Sequence, residues 1–136
     1  TQMKITICTS MKFWDKAKTV SQNLKKMGHK VFVPIFHKNV DFWKASPESR
    51  ANLKKKDNLI KRHYDKIKNS DAILITNYDK EKIKGYIGGN SFLEMGFAYI
   101  LAKKIFLLNP IPEMHYKAEI MAMNPIVIDS DLTKIK

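Results

Sequence analysis

Two short apolar runs constrain this chain most: residues 72–76 (Ala-Ile-Leu-Ile-Thr) and residues 105–108 (Ile-Phe-Leu-Leu). Neither shows the alternation of a strand with one wet face. Continuous apolar strands belong to sheets covered on both sides, which are parallel sheets between two helical layers. The rest of the chain fits that demand. Residues 3–8 read as a first strand. From 11 to 27 the apolar positions Phe13, Ala17, Val20, Leu24 and Met27 recur at helical spacing. Gly28 then suits a left-handed helix end. Lys30 to Val33 reads as a second strand, closed by Pro34, with a loop over 34–46.

Ser46-Pro47-Glu48 carries the marks of a helix start: a capping hydroxyl, a proline whose missing N–H is not needed, and an acid at the positive end. The spacing of Leu53, Ile60 and Ile67 predicts one helix to about Asn69 with those three on its buried side. Strand three covers 72–77. A loop over 78–90, a helix over 91–102, a strand over 105–108, a helix near 113–123 and a strand at 126–128 complete the pattern. The expectation is one domain over residues 1–136. It is an α/β, three-layer, doubly wound domain with a mostly parallel five-stranded sheet. Ligands of such sheets bind at the carboxyl ends of the strands. That edge collects Cys8-Thr9-Ser10, Pro34 to His37, Asn77-Tyr78 and the turn from Gly88 to Glu94.

Glu94 stands out in that turn. The segment Gly85-Tyr-Ile-Gly88-Gly89-Asn90-Ser91-Phe-Leu-Glu94 joins a buried strand to a buried helix, and a single carboxylate sits in what reads as the helix's first turn. Burying an unpaired charge costs several kcal/mol, about the scale of desolvating an ion, so the residue needs a partner or a use.

Composition removes several classes of function. No uncharged apolar stretch reaches the roughly 18 residues of a membrane span. The chain opens on Lys4-Ile-Thr-Ile7 without a hydrophobic leader, and Cys8 is its only cysteine, so intramolecular disulfides and cysteine zinc sites are excluded. A cytoplasmic protein fits, and no His/Asp/Glu grouping has metal-ligand spacing, so neither metal nor cofactor is expected. The formal charge of +12 raises the question of nucleic acid. Yet only Arg50 and Arg62 are arginine among the 25 basic residues, and phosphate and base readout favour the planar arginine fork. The run Lys54-Lys55-Lys56 reads as a solvated helix face. A nucleic-acid-associated protein therefore has charge alone in its favour, and a positive field equally suits a small anionic substrate.

The segments Lys4-Ile-Thr-Ile-Cys-Thr-Ser-Met11, Gly28-His-Lys-Val31, Ser70-Asp-Ala-Ile-Leu74, Phe92-Leu-Glu-Met-Gly-Phe-Ala98 and Lys103-Lys-Ile-Phe-Leu-Leu108 resemble the nucleoside 2-deoxyribosyltransferase superfamily. The Glu-hydrophobic-Gly-hydrophobic-Ala unit after a glycine turn is the most specific part. The resemblance spans nearly the whole chain and implies a flavodoxin- or Rossmann-like fold, a homodimer or larger assembly, and a nucleoside or nucleotide as small-molecule partner. It also implies that Glu94 is the nucleophile at the anomeric carbon. Where the family carries a helix acid beside the leaving base, this chain has His63, with Asp65 nearby. Where the family holds the sugar 5′ end through a serine or aspartate, this chain has Gly88. A weaker likeness links Gly88-Gly89 and Glu94 to the lysine-decarboxylase-like phosphoribohydrolases, without the Gly-Thr of that motif.

Breaking an N-glycosidic bond makes the sugar cationic, and a carboxylate at the anomeric carbon stabilises or traps it. The catalytic candidates are Glu94, His63 and Asp65. The substrate-binding candidates are Cys8, Ser10, Phe13, Phe36, Trp43, Asn77, Tyr78, Gly88, Gly89, Asn90 and Ser91. Phe13, Phe36, Phe42 and Trp43 supply aromatic faces for a base. Ser10 also reads as a helix cap and Cys8 as a small buried residue. The alternative reading is a nucleotide-binding module of the same fold without turnover.

Overall fold

The structure is a computed structural model that describes residues 2–34 and 46–136. The order of elements is β1 (Lys4–Cys8), α1 (Trp14–Lys26), β2 (Lys30–Phe32), α2 (Pro47–Asp57), α3 (Leu59–Lys68), β3 (Ala72–Ile75), α4 (Gly89–Ile100), β4 (Lys104–Leu107), α5 (Lys117–Ala122) and β5 (Ile126–Val127). Single 3-10 turns precede α1 at Met11–Phe13 and close the chain at Leu132–Lys134. The five strands form one sheet in the order β2-β1-β3-β4-β5, and every pairing is parallel.

Alternate side chains along each strand feed two cores. Ile5, Ile7, Leu74 and Phe106 pack with Ala17 and Leu24 of α1 on one face. Cys8, Ile73, Ile75, Ile105 and Leu107 pack with Ile67 of α3, Met95 and Ala98 of α4 and Ile120 of α5 on the other. Both faces of the central strands are thus dry, as their uninterrupted apolar sequences require. Strand order reverses between β1 and β3, so their carboxyl ends open a crevice where ligands of doubly wound sheets bind. Asp71 locks the opposite end. Its carboxylate accepts from the Lys4 backbone N–H at 2.8 Å, a bond that ties the start of β3 to β1.

The helix expected over 46–69 is two helices. Ser46 caps the first by accepting from the Ser49 backbone N–H. Asn58 then adopts a left-handed conformation with φ 51° and ψ 44° and ends it. Asparagine tolerates that region better than most residues because its short polar side chain suits it. The break resets the phase of α3. Leu59, rather than Ile60, turns inward, and Ile60 is 49% exposed. Ile67 is buried as expected, while the Leu53 side chain lies outside the described residues.

The start of α4 also differs. The helix begins at Gly89 with Gly88 as its cap, two residues before the expected start, and its first turn holds no acid. Glu94 is therefore in the second turn. The helix dipole acts mainly within the first turn, so its hold on this carboxylate is weaker than the sequence suggested. A Cβ at Gly88 would meet the Tyr86 ring at 3.2 Å, so the ring would have to shift by a few tenths of an ångström to admit a side chain. Tyr86 in turn lies beneath the Lys80 ammonium, 4.7 Å from the ring centroid.

Candidate active site

A cavity of about 310 Å³ opens at the carboxyl edge of the sheet, bounded by the loop after β1, by α2 and α3 on one side and by the turn into α4 on the other. Its walls hold Thr9, Ser10, Met11, Pro34, Arg50, Lys54, Leu59, Ile60, His63, Tyr86, Gly88, Gly89, Asn90, Ser91, Leu93, Glu94 and Phe97. That volume is at the small end of ligand sites, about 300–1,000 Å³, and matches a small polar metabolite.

Glu94 projects from α4 into this cavity and is only 8% exposed. Its Oε2 stands 3.4 Å from His63 Nδ1 of α3. Neither atom makes a hydrogen bond to any described residue. Below the carboxylate, at the end of β1, lies the fully buried Cys8. Burial pushes the Cys8 thiol well above its ordinary value, and the charge of Glu94 and a hydrogen bond to it act in the same direction. The thiol therefore stays protonated, and it is not a nucleophile.

Two lysines complete the electrostatics. Burial lowers the proton affinity of Lys54, the Glu94 charge partly restores it, and Arg50 lowers it further. Lys66 is lowered by burial and by Arg62 and raised again by Glu94. The Lys66 ammonium donates to the Val33 carbonyl at 2.6 Å, and that of Lys54 donates to Asn90 Oδ1 at 2.9 Å.

Of the residues singled out in the sequence, the structure brings Glu94, His63, Ser10, Gly88, Gly89, Asn90 and Ser91 into one cavity. Ser10 makes no side-chain cap bond at the 3-10 turn that follows it. Cys8 lies beneath the cavity and does not line it. Asp65 is solvent-exposed and outside the wall, two residues from His63 and so on a different side of α3. Phe13 and Tyr78 pack against each other at 5.7 Å between ring centroids, away from the cavity. Phe36, Phe42 and Trp43, with His37, lie outside the described residues.

Asn77 is a clamp rather than a ligand contact. It is 1% exposed. Its amide nitrogen donates to the carbonyls of Gly85, Asn109 and Pro110, and its Oδ1 accepts from the Asn109 backbone N–H at 2.9 Å. The residue thereby ties β3 to the loop after β4 and fixes the turn that leads into α4. Gly85 is pressed into that clamp with φ +66°, and a Cβ there would lie 2.8 Å from the Pro110 carbonyl oxygen.

Sequence reasoning missed Arg50, Lys54, Tyr86 and Phe97 as wall residues. Tyr86 and Phe97 are the aromatic surfaces the described residues offer to a planar ring. The spacing Arg50–Lys54, one helical turn, was the available signal. It was hidden because Lys54 begins a lysine run that reads as a solvated surface; Lys55 is indeed exposed, but Lys54 is half-buried against Asn90.

No protein-family model and no curated protein sequence matches the chain. Among solved structures it is similar to a 2-deoxyribosyltransferase from the psychrotolerant bacterium Bacillus psychrosaccharolyticus, with 25% identity over 76% of this chain and 70% of that one and a TM-score of 0.50. It is also similar to the CMP N-glycosidase BcmB of Clostridium botulinum, with 18% identity over 92% of this chain and 86% of that one and a TM-score of 0.51. The second likeness is one of fold. The first extends to sequence and supports the nucleoside 2-deoxyribosyltransferase superfamily.

Proposed function

We propose, from the premise that this chain is a protein of the nucleoside 2-deoxyribosyltransferase superfamily, that it breaks the N-glycosidic bond of a nucleoside or a nucleoside 5′-monophosphate. The observation that carries the reading is the Glu94 carboxylate: buried, with one oxygen unpartnered, and facing a cavity with two aromatic walls. An unpartnered buried oxygen is costly to a fold, and a reacting carbon approaching it supplies the missing interaction.

In this mechanism the Glu94 carboxylate adds to the anomeric carbon as the bond from that carbon to the base nitrogen breaks. The bonding pair leaves with the base, which takes a proton from the His63 imidazolium. As the glycosyl ester forms, Glu94 loses its negative charge. His63 then loses its counter-ion at the moment its proton is needed. Water or a second base next attacks the anomeric carbon and gives its proton to the now neutral His63, while the bond from that carbon to the Glu94 oxygen breaks and frees the carboxylate, as in retaining glycosidases. Tyr86 and Phe97 flank the base, and Ser10 and the amides at the start of α4 hold the sugar end.

The same reading includes a homo-oligomer. Leu93, Tyr99 and Ile100 leave an apolar face of α4 open beside the cavity, with Ile100 81% exposed. No helix of the described residues is long and apolar enough to cross a membrane. The test is incubation with a panel of nucleosides and 5′-monophosphates, with free base detected by chromatography. Release that is lost in Glu94→Ala supports the proposal, and a second purine or pyrimidine added as acceptor separates transfer from hydrolysis. Tight binding with no base released by the native protein rejects catalysis and leaves a binding module.

A further inference from the structure

The positive charge of this chain sits on one half of its fold. Residues 1–70 hold 17 Lys and Arg against 5 Asp and Glu, whereas residues 71–136 hold 8 of each. The first stretch builds β1, the outer strand β2 and helices α1 to α3; the second builds β3, β4 and β5 with α4 and α5. The whole formal charge of +12 therefore lies on the β2–β1 side of the sheet. It also lies on both faces, since α1 packs on one face of the sheet and α3 on the other. Several of these cations stand where the fold itself repels them. Lys61 and Arg62, both exposed, fall in the first turn of α3, at the positive end of its dipole, and that turn holds no acid. Lys4 and Lys30 are partners in register on neighbouring parallel strands, two exposed like charges side by side. The helix dipole accounts for Lys25 and Lys26 at the end of α1 and for Lys68 at the end of α3. It does not account for Lys18, Lys30, Lys61 or Arg62.

We infer that the β2–β1 half of the molecule is a binding surface for a single strand of nucleic acid, held through its phosphates and without regard to base sequence. Cations that repel one another within a fold are relieved when a polyanion comes between them, and release of the strand's counterions adds to the gain. Lysine is a point charge without the guanidinium fork that reads bases, so its contacts are to the backbone. The partner must also be flexible. A membrane or a rigid acidic protein meets one face of the sheet, and so does a duplex, which stays straight over about 150 base pairs. A single strand can pass from Lys18 on α1, across the β2 edge at Lys30, to Lys61 and Arg62 on α3. None of these four residues belongs to the wall of the cavity at Glu94, so the surface stands apart from the glycosidic reading and does not depend on it.

The test is fluorescence anisotropy of a labelled oligodeoxythymidylate and a labelled oligouridylate, each of about 20 nucleotides, between about 50 and 200 mM salt. A duplex of the same length and vesicles of phosphatidylserine and phosphatidylcholine serve as competitors. The native protein is compared with two triple variants. One carries Lys18→Gln, Lys30→Gln and Lys61→Gln; the other carries Lys82→Gln, Lys84→Gln and Lys134→Gln, three exposed lysines of the neutral half. Both lose the same charge, so a difference between them reports position. The two strands should bind the native protein within about threefold of each other, because the phosphates carry the contact. Each lost phosphate contact lowers the slope of log affinity against log salt by about 0.7 for a single strand, so the first triple should be shallower by about 2 and the second by less than about 0.5. The first triple should also unfold at the native urea concentration or above it, since it relieves repulsion at the start of α3 and between Lys4 and Lys30. Equal effects of the two triples, no binding of either strand at about 50 mM salt, stronger competition by the duplex or the vesicles than by unlabelled strand, or a first triple that loses stability would overturn the inference. None of these readouts needs bond cleavage, so a protein that releases no base can still pass them and an active glycosidase can fail them.

Discussion

His63 Nδ1 and Glu94 Oε2 face each other at 3.4 Å across the cavity wall, each without a hydrogen bond to another described residue. The pair is close enough to couple and too far apart to be a settled hydrogen bond, for which about 2.7–3.2 Å is normal. Substitution of Glu94 by Gln keeps the shape and removes the charge. It should lower base release by about 10³-fold or more, as loss of a nucleophile does, while chemical denaturation stays close to native. Glu94→Gln with more than a tenth of native turnover would refute a nucleophilic role.

His63→Gln should reduce kcat by about 10²–10⁴, the range for a general acid. The loss should shrink for substrates whose base is a good leaving group, because those need less protonation. A uniform loss across leaving groups would make His63 a positioning residue for Glu94 instead.

The thiol of Cys8 gives a pH prediction. Burial, and the charge of Glu94 beside it, hold its proton well above the ordinary thiol range in the folded state. A raised group contributes stability that is complete below the unfolded value and fades as pH climbs through it toward the folded one. The native protein should therefore lose stability above about pH 9 through Cys8, over and above what its lysines contribute. In Cys8→Ala that part should be missing, so the fall in Tm between pH 8 and pH 10.5 should be smaller. Ellman's reagent should label Cys8 slowly in the native state and at once in urea; rapid native labelling would contradict its burial.

The layers of this fold were legible because strand burial writes itself into composition: the runs at 72–76 and 105–108 have no polar side to show. Glu94 was legible because a carboxylate among small and apolar residues breaks that pattern. What stayed hidden depended on phase and on distant partners. Asn58 resets α3 by one residue through a left-handed backbone, and no hydrophobic periodicity records a change of φ. Asn77 reads as a polar residue at a strand end in either of two roles. Only the position of the Gly85, Asn109 and Pro110 carbonyls, up to 33 residues away, decides that it is a clamp. Lys54 and Lys55 are neighbours in one run, and helix rotation alone separates a wall residue from a solvated one.

Asn77→Ala should destabilise the protein by about 2–3 kcal/mol in urea denaturation. It strips partners from several buried backbone groups, and each unsatisfied group costs about 1–3 kcal/mol. Because the clamp fixes the turn into α4, the variant should also raise KM. A change below about 0.5 kcal/mol would show that water replaces the amide at no cost.

The exposed side of α4 supplies the last expectation. Leu93 and Ile100 are seven residues apart, so they share one stripe, and Tyr99 lies beside Ile100. Exposed apolar side chains scattered singly need no explanation, whereas a contiguous group marks a contact surface. Leu93 also lines the cavity, so a second copy packed on this stripe would narrow the mouth of the site and keep water from the glycosyl ester. Ile100→Lys puts a charge where that contact would be and removes nothing from the core, since the side chain is 81% exposed. The native chain should sediment as a dimer or larger at tens of micromolar, and Ile100→Lys should sediment as a folded monomer with reduced turnover. A native protein that stays monomeric at those concentrations would leave α4 bare and require the cavity to close by its own residues alone.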